Sequence, residues 1–134
     1  MSVNQQRSVV QRRRIGRLPV NILFAVDYRD GDLDTQGDPT LVFRGATLAM
    51  LSKVFGFLVP EGGQGVARLW SMTYEHDCVY RNGRGYRRIA VRLIDYNSAF
   101  CDVSSLVLLV DSVIHRLSPK AKVTYTDLDT FLNT

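Results

Sequence analysis

His76, Cys78, Cys101 and His115 are the whole histidine and cysteine complement of this 134-residue chain. Thiolate and imidazole are the ligands that a zinc ion prefers, so these four are the first candidates for chemistry. Their spacing argues against it. No Cys-x-x-Cys or His-x-x-x-His pair occurs, and His76 and Cys78 stand two apart in a run that otherwise alternates apolar and polar residues. Core packing accounts for them more simply than a metal does. A Cys78 nucleophile with a histidine base lacks a third group to orient the base. His115 falls near the end of a helical run, where a partly cationic imidazole suits the helix dipole.

Two further stretches invite a ligand reading. DGDLDTQGD begins like a calcium loop, with Asp30, Asp32 and Asp34 at the first, third and fifth positions. The sixth is then Thr35, where the sharp turn needs glycine, and the twelfth is Leu41, where a bidentate glutamate is needed. The run reads as a solvated acidic loop. EGGQG lacks the lysine and hydroxyl of a phosphate loop, and the GRG at residues 83–85 lacks the spacing of a dinucleotide fingerprint. No acid–base or nucleophile constellation remains, so no enzyme, cofactor, metal or small-molecule substrate is expected.

What remains is positive charge. Lys and Arg number 17 against 13 Asp and Glu, for a net charge of +4 and a pI near 9.3. Arginine greatly outnumbers lysine, and its planar fork favours phosphate. Arg7, Arg12, Arg13, Arg14 and Arg17 crowd the first 17 residues, a stretch read as a flexible basic arm. Arg81, Arg84, Arg87 and Arg88 crowd VYRNGRGYRR, with Arg92 following. Tyr80 and Tyr86 border that cluster and could stack on bases or lodge at a lipid interface. These twelve residues are the candidate surface for an anionic membrane or a nucleic acid.

The elements that must carry this charge follow from periodicity. Residues 18–134 are expected to form a single domain, since 46% apolar and 22% charged residues are ordinary for a globular chain. Residues 20–28 (VNILFAVDY) and 40–44 read as short strands. Residues 46–58 read as a helix with Leu48, Leu51, Phe55 and Leu58 on its buried stripe, stopped at Pro60. Residues 66–81 alternate Trp70, Met72, Tyr74, His76, Cys78 and Tyr80 against polar neighbours, and residues 86–96 set Ile89, Val91 and Leu93 against Arg88 and Arg92. Asn82-Gly83 between them is a hairpin signal. A two-residue turn there pairs Met72 with Leu93, Tyr74 with Val91, His76 with Ile89, Asp77 with Arg88 and Thr73 with Arg92.

Residues 103–117 form the second helix, capped by Asp102, with Val103, Leu106, Val107, Val110, Ile114 and Leu117 inward. Leu108 and Leu109 lie off that stripe, and with Phe57 they are the candidate self-association surface. Residues 122–125 close the domain as a strand. The fold class expected is α+β, an antiparallel sheet with a long central β-hairpin and two packed helices. Two cysteines make no disulfide framework, no apolar leader opens the chain, and no run is long enough to span a bilayer, so an intracellular protein with at most peripheral membrane contact is expected.

Element order and size carry a resemblance. LPVNILFAVDY, then RRIAVRLIDY, the apolar helix VSSLVLLVDSVIHRL and a closing strand resemble the small matrix proteins of non-segmented negative-strand RNA viruses, the bornavirus kind above all and the rhabdovirus kind more distantly. The likeness covers residue 18 to the C-terminus and rests on no diagnostic motif. Pro-Pro-x-Tyr and Pro-Thr-Ala-Pro budding motifs are missing, as is a long proline-rich arm. The resemblance implies a non-enzymatic virion structural protein that forms homo-oligomers, coats the inner face of host membranes through basic residues, touches RNA or ribonucleoprotein, and links nucleocapsid to envelope during budding. Host cytoplasm or nucleus would be its other locations. The alternative is a soluble RNA-binding protein without a membrane role, such as a viral silencing suppressor. Its strands would lack the aromatic signature of an RNA-recognition motif.

Overall fold

The structure, a computed structural model, describes residues 20–27, 38–62, 65–79 and 85–134, excluding the side chains of residues 76–79, 85 and 86. The order is β1 (Asn21–Asp27), β2 (Thr40–Arg44), α1 (Leu48–Leu58), β3 (Leu69–Val79), β4 (Gly85–Ile94), α2 (Val103–Leu117), β5 (Lys122–Tyr125) and α3 (Leu128–Asn133). The strands make one five-stranded sheet in the order β3-β4-β2-β1-β5. Every pairing is antiparallel except β1 with β5. This is an α+β fold. The parallel pair arises because the chain crosses the sheet through α2 before returning to β1, so β5 enters from the same end as β1.

The sheet has two faces of unequal depth, and period-two alternation assigns each residue to one of them. Ile22, Phe24 and Val26 of β1, Leu41 and Phe43 of β2, and Ile89, Val91 and Leu93 of β4 meet Leu51, Val54, Phe55 and Leu58 of α1 and Leu106, Val110 and Ile114 of α2. Phe43 lies at the centre, its ring 5.3 Å from Phe24 in a stacked arrangement and 6.0 Å from Phe55 edge-on. The other face holds a smaller cluster, where Phe131 of α3 fits over Ala25 and Val42. Alanines at positions 25 and 90 leave room for that ring. No such helix is read from the sequence. Six residues give too few turns for a periodic signal, and Asp127, which caps α3 by accepting from the Thr130 N–H at 2.7 Å, is its main trace.

Asp102 caps α2 as expected, accepting from the Ser105 N–H at 2.8 Å. That bond favours the ionised carboxylate and holds the pKa of Asp102 below its ordinary value; the Thr130 N–H does the same for Asp127. Two stripe assignments need correction. Leu48 and Leu117, expected inward, are exposed. Each is a terminal residue of its helix.

The hairpin register also differs from expectation. In the body of the pair, Trp70 lies opposite Leu93, Met72 opposite Val91, Tyr74 opposite Ile89 and Glu75 opposite Arg88. That is two residues from the register of a tight Asn82-Gly83 turn. One residue is taken up at the connection, since the last pair is Val79 with Gly85. The other is taken up by a bulge between Glu75 and Cys78, where His76 and Asp77 stand against Arg87 alone. A shift of two preserves the faces, so Trp70, Met72 and Tyr74 still share the helix side. It does bring Glu75 to Arg88, and the two form an ion pair; the side chain of Asp77, the partner expected from the tight turn, lies outside the described residues. The Glu75 and Arg88 side chains are largely covered, so a double-mutant cycle of Glu75→Gln and Arg88→Gln is expected to return about 0.5–1 kcal/mol of coupling in urea unfolding.

Candidate anionic-surface and self-association faces

The β3–β4 pair holds its arginines on both sides of the ladder. Arg88 and Arg92 share the face away from α1 and α2, beside Ser71, Thr73 and Glu75. Arg92 is exposed, whereas Arg88 retains 16% of its side-chain exposure and donates its Nε–H to the Glu75 carboxylate. Arg88 therefore serves the hairpin first and offers little surface to an outside anion. Arg87 is exposed and sits opposite the bulge, where the extra residue bends β3 and increases the local twist. Of the other charge-based candidates, Arg7, Arg12, Arg13, Arg14, Arg17, Tyr80, Arg81 and Arg84, and the side chain of Tyr86, lie outside the described residues. So do Asp30, Asp32 and Asp34 of the acidic loop. Asp38, at its end, accepts from the Tyr96 N–H at 3.1 Å and ties the loop to the end of β4.

The two helices form the opposite layer. Phe57 of α1 and Leu108 and Leu109 of α2 are all exposed, with Leu108 at 69% and Phe57 at 59%. The Arg116 guanidinium lies over the Phe57 ring, 5.6 Å from its centroid. This bridges the two helices at the surface and keeps the ring outward. Phe100, in the turn before α2, is equally open at 69%. Sequence pattern alone passed over Phe100, since a loop residue belongs to no stripe.

Of the soft-ligand candidates, Cys101 and His115 are the two whose side chains are described, and they lie far apart. Cys101 is buried at the start of α2 and His115 is near its other end, where Nδ1 lies 3.0 Å from the Asp111 carbonyl. A helix of this length separates them by roughly 20 Å, too far to share an ion. The side chains of His76 and Cys78 lie outside the described set. A shallow cleft of about 420 Å³ opens where β1, β2 and β5 meet, lined by Asn21, Leu23, Arg44, Gly45, Lys122 and Thr124 among others. Arg44 is anchored there, its guanidinium 4.8 Å from the Phe131 ring centroid and its Nη1 donating to the Thr134 carbonyl at 3.2 Å. Among the described residues, no carboxylate, imidazole or thiol lines this cleft. No helix among the described residues is long and apolar enough to cross a membrane. Comparison with protein-family models, with curated proteins and with solved structures gives no match.

Proposed function

We propose that the chain is a non-enzymatic, matrix-like structural protein. It self-associates and binds anionic membrane surface and RNA or ribonucleoprotein through arginines, linking nucleocapsid to envelope during assembly. The observation that carries this reading is the presence of two kinds of exposed surface. Arginines 87 and 92 are exposed on the β3–β4 hairpin at one edge of the sheet, while large apolar side chains are exposed on the helix layer. An enzyme built on this sheet would want titratable groups converging on a cleft. Among the described residues, the charged side chains at the cleft between β1, β2 and β5 are Arg44 and Lys122.

Flotation with phosphatidylserine-containing and purely neutral vesicles, at low and high salt, tests the proposal. Binding is expected only to the acidic vesicles, falling as salt rises. Each arginine near an anionic surface contributes about 1 kcal/mol. A variant with Arg81, Arg84 and Arg87 changed to glutamate should therefore bind roughly a hundredfold more weakly or worse. Absence of flotation under every condition would remove the membrane role, and salt-sensitive RNA binding without flotation would point to the soluble RNA-binding alternative.

A further inference from the structure

β3 is an outer strand of the sheet, with β4 as its neighbour on one side. At eleven residues it is about twice the usual strand length. Outer strands in monomeric proteins are blunted by lysine, proline, shortness or a bulge, because their open N–H and C=O groups template pairing with another chain. From Leu69 to Glu75 this strand has no lysine and no proline. Its one charged side chain there, Glu75, is bound by Arg88 of its own chain. The bulge comes only beyond Glu75.

The stretch Trp70-Ser71-Met72-Thr73-Tyr74 reads almost the same in both directions: aromatic, small hydroxyl, methionine, small hydroxyl, aromatic. We propose that β3 pairs antiparallel with β3 of a second copy of this chain, about a twofold axis at Met72. In that register Trp70 faces the second copy's Tyr74 on the helix side, twice by symmetry. Ser71 faces Thr73 on the other side, also twice. Aromatic pairs and Ser–Thr pairs are favoured cross-strand combinations. Glu75 falls opposite Leu69, itself exposed, so no like charges oppose each other. A register displaced by two residues loses both aromatic pairs, and one displaced by a single residue sets the helix side of one copy against the open side of the other.

This rests on the self-associating reading proposed for the chain and gives it a geometry. Pairing over Leu69–Glu75 makes one continuous sheet with both helix layers on the same side. The bulge ends the ladder before the hairpin connections, which lie toward opposite ends of the joined sheet. Phe57 and Leu108 remain outward on the helix layer, so a second, different contact stays available. A twofold contact alone closes at a dimer, whereas two unlike contacts build an open array. The edge alone buries less than the roughly 800 Å² per partner of a stable interface, so the pairing is concentration-dependent.

Cysteine cross-linking reads the register directly. Ser71 and Thr73 are both exposed. In a Cys78→Ser background, with Cys101 left buried, a mixture of Ser71→Cys and Thr73→Cys full-length chains should give a disulfide-linked heterodimer on mild oxidation. Either variant alone should give at least tenfold less, since identical positions are then two residues out of register and beyond disulfide reach. No cross-link in the mixture, or equal cross-linking by the single variants, overturns the proposal. Sedimentation of Thr73→Lys separates it from the broader reading. That variant should self-associate at least tenfold more weakly at an unchanged Tm. Undiminished association of Thr73→Lys, lost instead in Phe57→Ser/Leu108→Ser, would discard the edge pairing and keep self-association. A monomeric wild-type chain at every concentration would discard both.

Discussion

Replacing Phe43 with alanine is expected to lower the free energy of unfolding by about 3–5 kcal/mol, measured by urea denaturation. Phe43 is 1% exposed in β2, which pairs with β1 on one side and β4 on the other. Its ring stacks on Phe24 across one pairing, meets Phe55 of α1 edge-on, and through Phe55 connects to Trp70 of β3, 6.3 Å further on. Four elements are thus linked through one chain of rings. Truncation removes the transfer free energy of the ring and leaves a cavity among packed core side chains, which relax only partly. A domain of this kind has a total stability of roughly 5–15 kcal/mol, so the variant could lose half of it. Phe43→Leu retains most of the volume and should cost well under half as much. A loss below about 1 kcal/mol for the alanine variant, with an unchanged m-value, would mean that this ring is not the centre of the core.

Gly45→Ala should be comparably damaging, though it adds an atom where Phe43→Ala removes several. Gly45 follows β2 at φ +87°, a conformation that L side chains rarely adopt. A Cβ there would lie 1.9 Å from the Asn21 carbonyl oxygen and 3.1 Å from its carbon. Those are backbone atoms at the start of β1, so no side chain can swing aside. The strand must shift, disturbing its pairing with both β2 and β5. Backbone strain of this kind costs about 1–3 kcal/mol alone, and the collision adds to it. A total of about 3 kcal/mol or more is expected from urea unfolding. Gly56 in α1 supplies the control. A Cβ there meets nothing within 4 Å, and alanine suits a helix better, so Gly56→Ala should stabilise by about 0.5–1 kcal/mol. Equal destabilisation by both substitutions would show that steric contact with β1 is not the cause at Gly45.

The functional reading depends on surfaces that such core changes leave alone. Charge reversal at the hairpin and Thr73→Lys at the sheet edge both act away from the buried core, so their effects on binding can be read without loss of the fold. Arg88 is the exception. Because it holds Glu75, its substitution would weaken the hairpin as well as the charge, and it is a poor choice for testing anion binding.

The sequence by itself determined the elements whose pattern is local. Alternation in β3 and β4, the capping aspartate of α2 and the inward stripe of Leu106, Val110 and Ile114 are all legible, because a side chain's face follows from its spacing. The outward Phe57, Leu108 and Leu109 are legible for the same reason, as apolar residues that the stripe leaves over. Tertiary structure alone decided the rest. Strand order depends on which edges meet in space, and nothing in β5 states that it runs parallel to β1 or that β3 is left at the rim. The hairpin register turned on a bulge and on one further residue taken up beyond the Val79–Gly85 pair; together they displace pairs by a whole repeat, which period-two patterning cannot register. Leu48 and Leu117 satisfy the helical period yet stand exposed, because the period names only a face of the helix, while burial depends on what packs against that face at each position.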